Sequence, residues 1–173
     1  RYMEMKSFIC ILFSGVSVFM DLKTEKVSNI WILVGCVVSL LMKIFDLNEV
    51  TIWNWLQGML FPILLLFPLF LGKMLGTGDI KIFMVLGSVL GWKKIFQCIM
   101  IAFLIGAMIS VPILIFRCNI WERFSYFISY VISVKKTRKI QPYLATGKRP
   151  ENIHFTIPIF FSIVFLIMKG DIL

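Results

Sequence analysis

Two aspartates stand directly beside apolar segments of this chain. Asp21 follows the run "SFICILFSGVSVFM", and Asp79 closes "GTGD" immediately before the run "IKIFMVLGSVLGW". A carboxylate inside or at the edge of a lipid bilayer is costly and is commonly functional, although an aspartate is also an ordinary cap for a helix N-terminus. Whether these acids do chemistry therefore depends on where the surrounding segments place them.

The composition is that of a membrane protein. Of the 173 residues, 60% are hydrophobic and only 16% are charged, whereas globular domains have about half and a quarter. We predict an all-α membrane protein, in which residues 1–173 form a single polytopic domain with about six transmembrane helices. The first and fourth apolar runs are short, so their helices should include charged flanks or lie where the bilayer is thin or water-filled. The runs are Ser7 to Met20, Val27 to Phe45, Ile52 to Leu75, Ile80 to Trp92, Ile95 to Phe116 and Ile153 to Met168.

The basic residues are distributed unevenly between the two sides of the membrane. Connections after the first, third and fifth runs share one side and carry 12 of the 18 Lys and Arg residues, against 6 on the other side. The positive-inside rule then predicts a multi-pass protein of the inner (cytoplasmic) membrane, with these connections in the cytoplasm and both termini outside. The net charge of +9 is explained by orientation and by binding to anionic membrane lipid. No recognition module for nucleic acid is present.

The longest connection, residues 117–152, is basic and contains an amphipathic pattern. Its apolar positions repeat every three to four residues, which predicts a helix lying in the cytoplasmic interface. The charge run "VKKTRK" after it is typical of a solvated segment or one that binds lipid headgroups. The apolar positions are Ile120, Trp121, Phe124, Phe127, Ile128 and Val131.

The sequence indicates neither a metal site nor a cofactor. Its four cysteines are scattered and include no Cys-x-x-Cys pair, so no zinc site or disulfide framework is expected. The single histidine, His154, has no second His or Cys at metal-ligand spacing. We therefore expect His154 to be a residue of the membrane interface.

The two aspartates are predicted to lie on one face of the membrane. Two spans separate Asp21 from Asp79, so both carboxylates lie at the cytoplasmic edge. Two neighbouring carboxylates titrate as a unit in which one keeps a proton and the other is a base, as in aspartic proteases. Gly76 and Gly78 would let a substrate backbone come close to Asp79 and could adopt positive φ. The pairing predicts a water-activating site.

Both motifs resemble those of the type IV prepilin peptidase family, the Gly-x-Gly-Asp membrane aspartic peptidases. "GTGDIKIFMVLGSVLGW" resembles the family signature, including Lys81 two places after the acid. "FMDLKTEKVSNIW" is similar to the motif in which an Asp closing the first span precedes a basic turn and an Asn, here Asn29. The late "HFTIPIFFSIVFLI" is similar to the final span of the family.

The resemblance implies a membrane-embedded aspartic endopeptidase. Such an enzyme cuts the short basic leader from type IV prepilins or pseudopilins at the cytoplasmic face. Ser28 stands where the family commonly has Pro, and the last span lacks the family's glycine. The paired-cysteine segment of longer, methylating members has no counterpart here, so we expect the minimal, peptidase-only form without methyltransferase activity. The implied catalytic pair is Asp21 and Asp79, and the implied substrate-binding or supporting residues are Gly76, Gly78, Lys81, Lys23, Lys26 and Asn29.

Other interpretations remain open. A small proton-coupled transporter or export subunit could use Asp21 and Asp79 as relay carboxylates, but it would need a ladder of polar residues across the bilayer. An assembly subunit without chemistry would leave the two acids unexplained. Presenilin-like proteases share the Gly-x-Gly-Asp motif but pair it with Tyr-Asp, whereas Met20 precedes Asp21 here.

Overall fold

Apolar runs of this length form helices in lipid, because a helix satisfies every backbone polar group within its own segment. The computed structural model describes residues 2–45, 52–72, 75–117 and 154–170, and all regular structure among them is helical. The prediction of an all-α membrane protein is confirmed. The helices are α1 (Tyr2–Thr24), α2 (Asn29–Phe45), α3 (Ile52–Leu71), α4 (Thr77–Leu90), α5 (Trp92–Arg117) and α6 (Thr156–Met168).

Three described helices are long and apolar enough to cross a membrane: Glu4–Thr24, Trp53–Leu71 and Trp92–Pro112. Asn29–Ile44 and Thr156–Met168 are shorter apolar helices. The first run extends at both ends into its charged flanks, as expected, so that α1 has 23 residues. The interfacial helix predicted within residues 117–152 falls outside the described residues and stays a prediction.

Helix α4 is the centre of the bundle. It has only 14 residues, a length of about 21 Å at 1.5 Å per residue. It packs against α1, α2, α3 and α5, while α6 packs against α1 and α5. Its buried side chains include Phe83 and Leu86, which join one apolar core with Ile99 of α5 and Ile163 of α6. A helix enclosed by others in this way does not need the length of a lipid-facing span.

Glycines allow α3 and α4 to touch through their backbones. Gly58 of α3 faces Gly87 of α4, and a Cβ on either residue would clash with the backbone carbonyl of the other. Small residues at a helix crossing permit this close approach in membrane proteins. A second link is polar, because the hydroxyl of Ser88 donates to Ser39 of α2 over 2.8 Å. These contacts hold α4, and the acid at its start, against its neighbours.

Candidate active site

A cavity of about 800 Å³ opens at the end of the bundle where α1 ends and α2, α4 and α6 begin. Helix α5 also lines the cavity, through Phe103 and Gly106. Both aspartates face this cavity, as does most of the set of supporting residues that the sequence predicts. The polar and glycine residues that line it include Asp21, Glu25, Lys26, Asn29, Gly76, Gly78, Asp79, Lys81 and His154.

Asp21 lies in the last turn of α1 and is held by α6. One carboxylate oxygen, Oδ2, is 3.0 Å from Nδ1 of His154 and accepts a hydrogen bond of 2.8 Å from the Thr156 hydroxyl. Helix α1 ends just beyond, where Glu25 adopts a left-handed φ of 53° and donates its N–H to the Asp21 carbonyl. The Asp21 side chain is 16% exposed, so it faces the cavity without being freely solvated.

Asp79 occupies the first turn of α4, before the apolar run that begins at Ile80. The residue that caps α4 is Gly76, not Asp79. The backbone N–H of Gly76 donates to the Asp79 carboxylate, as a side chain at the third helical position does in a capping box. Asp79 thus has a structural contact at the helix start, and its carboxylate still lines the cavity.

The pKa of Asp79 is raised from 3.8 to about 6. Burial is the largest cause, because it disfavours the charged form, and the negative charge of Asp21 is the second. The Gly76 hydrogen bond and the nearby His154 act in the opposite direction and lower the pKa. The charge of Asp21 thus acts on the titration of Asp79 at the cavity that both residues line.

The glycines before Asp79 have ordinary backbone torsions, and the space that a missing side chain leaves is what matters at Gly76. Gly76 has φ of −74° and ψ of 150°, and Gly78 lies inside α4. Among the described residues the glycines with positive φ are Gly91 and Gly170, so the suggested positive φ at Gly76 and Gly78 is wrong for this conformation. A Cβ at Gly76 would lie 3.1 Å from Oδ2 of Asp79, so a side chain there would crowd the acid.

The other predicted supporting residues divide into two groups. Lys81 donates to Oδ1 of Asn29 over 2.7 Å and thereby connects the two sequence motifs. Lys26 also lines the cavity. Lys23 is exposed in the last turn of α1 and lies outside the cavity lining. The structure thus brings Asn29, Lys26 and Lys81 to the acids but not Lys23.

His154 and Thr156 are the site residues that the sequence analysis missed. The hydrogen-bond partner of His154 is 133 residues away along the chain, so no local motif connects them. One signal was available, because the odd connections share a side and His154 follows the fifth run. Counting membrane crossings, which pairs the two aspartates, also places the single histidine of the sequence at their end of the bundle.

An apolar groove joins the cavity on its outer side. It lies between α2, α3 and α4, has a volume of about 620 Å³, and is lined by side chains such as Ile32, Cys36, Phe67 and Met84. Three further residues, Asn29, Thr77 and Lys81, line both the groove and the cavity. A peptide bound in the groove would therefore pass over the hydrogen-bonded side chains of Lys81 and Asn29 before it comes to the acids.

These features describe an all-helical membrane protein with a cavity at one end of its bundle that is lined by two aspartates. The family model of the type IV leader peptidase family matches residues 8–111. This segment is more than half of the chain and includes both aspartates, and the chain belongs to that family. Its members are peptidases, so the protein is a leader peptidase-like protease. No curated protein and no solved structure gave a match.

Proposed function

We propose that this protein is an aspartic endopeptidase that removes the basic leader of type IV prepilins or pilin-like precursors at the cytoplasmic face of the membrane. One observation carries the proposal: Asp21 and Asp79, from the ends of two different helices, line one cavity within electrostatic reach of each other. Membership of the leader peptidase family supports the peptidase reaction. The catalytic roles of the two acids are our inference.

The different surroundings of the acids suggest different roles. Asp79, whose pKa is raised to about 6, is the better candidate to hold a proton and donate it to the scissile carbonyl oxygen. Asp21, whose Oδ2 accepts a hydrogen bond from the Thr156 hydroxyl and lies 3.0 Å from Nδ1 of His154, is the candidate base that takes a proton from the attacking water. The oxygen of that water bonds to the carbonyl carbon and gives a tetrahedral intermediate. A proton passed from Asp21 to the amide nitrogen then allows the C–N bond to break, while one hydroxyl of the intermediate returns its proton to Asp79 and the carbonyl re-forms.

The surfaces around the acids fit a substrate that is basic on one side of the cut and apolar on the other. Three acids, Asp21, Glu25 and Asp79, line the cavity beside the basic Lys26 and Lys81, and their carboxylates offer pairing partners to a positively charged leader. The apolar groove between α2, α3 and α4 begins beside them and offers a surface for an apolar segment. We propose that the precursor lies with its leader at the cavity and its apolar segment along the groove.

The decisive experiment replaces each acid with its amide. Asp21→Asn and Asp79→Asn should each abolish cleavage of a basic-leader precursor, because an amide can be neither the acid nor the base. The double variant should be hardly slower than either single variant, since members of one catalytic unit act non-additively. Each protein should still insert and purify, because asparagine keeps the shape of aspartate and its side-chain oxygen still accepts hydrogen bonds.

Glu25→Gln is the matched control for these variants. Glu25 lines the same cavity but is neither the proposed acid nor the proposed base, so kcat should stay within about threefold, the scale of half a pKa unit, whereas KM for a basic leader is free to rise. Comparable cleavage by Asp79→Asn and the native chain would disprove the aspartic mechanism. Movement of protons by the native chain in vesicles, without cleavage, would instead support a transporter.

A further inference from the structure

The carboxylate of Asp21 is held asymmetrically. Nδ1 of His154 and the hydroxyl of Thr156 both contact the same oxygen, Oδ2, at 3.0 and 2.8 Å. A carboxylate acting as the base only accepts hydrogen bonds, so the proposed role of Asp21 requires the tautomer of His154 in which Nδ1 carries the proton. The oxygen of Asp21 that remains for the attacking water is then Oδ1. Two donors on one oxygen also fix the rotation of the carboxylate about its last bond.

Both donors belong to a segment that is anchored by packing. Between them lies Phe155, whose ring contacts Phe103 and Phe83 with centroid distances of 5.1 and 6.5 Å. The ring also fills the space beside Gly106, where a Cβ would lie 2.9 Å from it. Thr156 is 2% exposed. The start of α6 is thus seated against α4 and α5, which makes it a rigid support for Asp21.

The Thr156 hydroxyl is directed at Asp21 rather than at its own helix. The cap residue of α6 is Phe155, and no side chain caps the helix N-terminus. By contrast, the buried hydroxyls of Ser14 and Ser17 donate to carbonyls within α1. A buried hydroxyl that instead bonds a carboxylate on another helix has a role that helix formation alone does not require.

We infer that His154 and Thr156 are positioning residues for the peptidase reaction, which hold Oδ2 of Asp21 so that Oδ1 is presented to the water. The inference rests on the proposed function. It adds α6 to the site, whereas the family match ends at residue 111. Neither residue needs to contact the substrate, because each acts through Asp21.

Two pairs of variants separate hydrogen bonding from packing. His154→Leu removes the donor, whereas His154→Asn keeps an N–H at the position of Nδ1. Thr156→Val removes the hydroxyl at nearly constant shape, whereas Thr156→Ser retains it. His154→Leu and Thr156→Val should each lower kcat about tenfold to a hundredfold, the scale of a slightly misplaced catalytic group, with KM almost unchanged. The Asn and Ser variants should recover most of that loss.

Ser162→Ala is the control on the same helix. Its hydroxyl is buried and contacts Cys98 rather than Asp21, so this variant should keep the native kcat. Thermal unfolding of each purified protein identifies variants that lose the fold, and the nearly isosteric Thr156→Val provides the test if His154→Leu does not fold.

Two results would overturn the inference while the proposed function stands. One is native kcat in both His154→Leu and Thr156→Val while Asp21→Asn is inactive. The other is equal loss in folded His154→Asn and His154→Leu, since the donor atom would then be irrelevant. Cleavage that survives Asp21→Asn is a separate result, and it would refute the aspartic mechanism itself.

Discussion

Replacing Asp21 should change the titration of Asp79. The charge of Asp21 is the second-largest cause that raises the pKa of Asp79, after burial. Asp21→Asn removes this charge but leaves the burial of Asp79 in place. The pKa of Asp79 should therefore fall below its native value of about 6. The sign follows because a neighbouring negative charge favours the protonated form of a carboxyl group.

The native shift from 3.8 to about 6 corresponds to ~3 kcal/mol against ionising Asp79, at about 1.4 kcal/mol per pKa unit. With a pKa of about 6, about nine-tenths of Asp79 carries a proton at pH 5 and about one-tenth at pH 7. In Asp21→Asn the protonated fraction at pH 5 should be clearly smaller. The difference between the two proteins is largest between the two midpoints.

The protonated fraction can be measured without any catalytic turnover. Hydrophobic carbodiimides react with protonated carboxyl groups, so brief labelling at a series of pH values followed by peptide mass spectrometry gives a midpoint for Asp79. Glu25→Gln is the control, because Glu25 lines the cavity but is not among the causes of the Asp79 shift. It should leave the midpoint unchanged.

Equal midpoints in the native protein and in Asp21→Asn would refute the reasoning. The carboxylates would then be too far apart, or too well screened, to share a water molecule. A native midpoint near 4 would also contradict the argument, since it would mean that Asp79 is fully hydrated and cannot hold a proton for the substrate.

Three other predictions concern the reaction, the substrate path and the orientation. If Asp79 donates a proton, kcat/KM should fall about tenfold per pH unit above the pKa of the pair, and a flat profile from pH 6 to 9 would exclude this role. Cys36→Phe, which fills the apolar groove, should raise KM about fivefold or more, whereas Val37→Phe on the exposed side of α2 should leave KM unchanged. Equal effects of the two variants would show that the substrate does not bind in the groove. The orientation can be tested with single cysteines placed at Lys23 or Lys93 in a cysteine-free background, because these exposed residues lie at opposite ends of the bundle. In intact cells the thiol at position 23 should be protected from a membrane-impermeant reagent and the thiol at position 93 should react. Reversed labelling would place the acids outside.

Much of the fold could be predicted because lipid imposes a simple rule on the chain. A helix in a bilayer must be apolar along its length, so each helix appears in the sequence as one run. The runs do not show how the helices pack against each other. The central place of α4 depends on contacts such as that of Gly87 with Gly58, and many pairs of glycines in the chain could have met in this way. Short length was the only hint that α4 is enclosed.

The sequence predicts the two aspartates as site residues but not His154, and the difference has a physical reason. A carboxylate beside an apolar run is conspicuous because burial makes it costly, and counting spans was enough to pair Asp21 with Asp79. His154 also stands beside an apolar run, but a neutral imidazole at an interface has little cost and gives no comparable signal. Sequence spacing is informative about a metal-ligand role, and it leaves His154 as a residue of the membrane interface.

The roles of the two acids could not be read from their motifs, because those roles depend on different surroundings. Both residues are aspartates at helix ends on one side of the bundle. Asp21 meets two donors from the far end of the chain, whereas Asp79 meets one backbone N–H within its own turn. Burial raises the pKa of Asp79, which supports Asp79 as the acid and leaves the role of base to Asp21. If that assignment is right, the start of α6 is as much a part of the catalytic apparatus as the Gly-x-Gly-Asp turn, because it makes two chemically identical groups unequal.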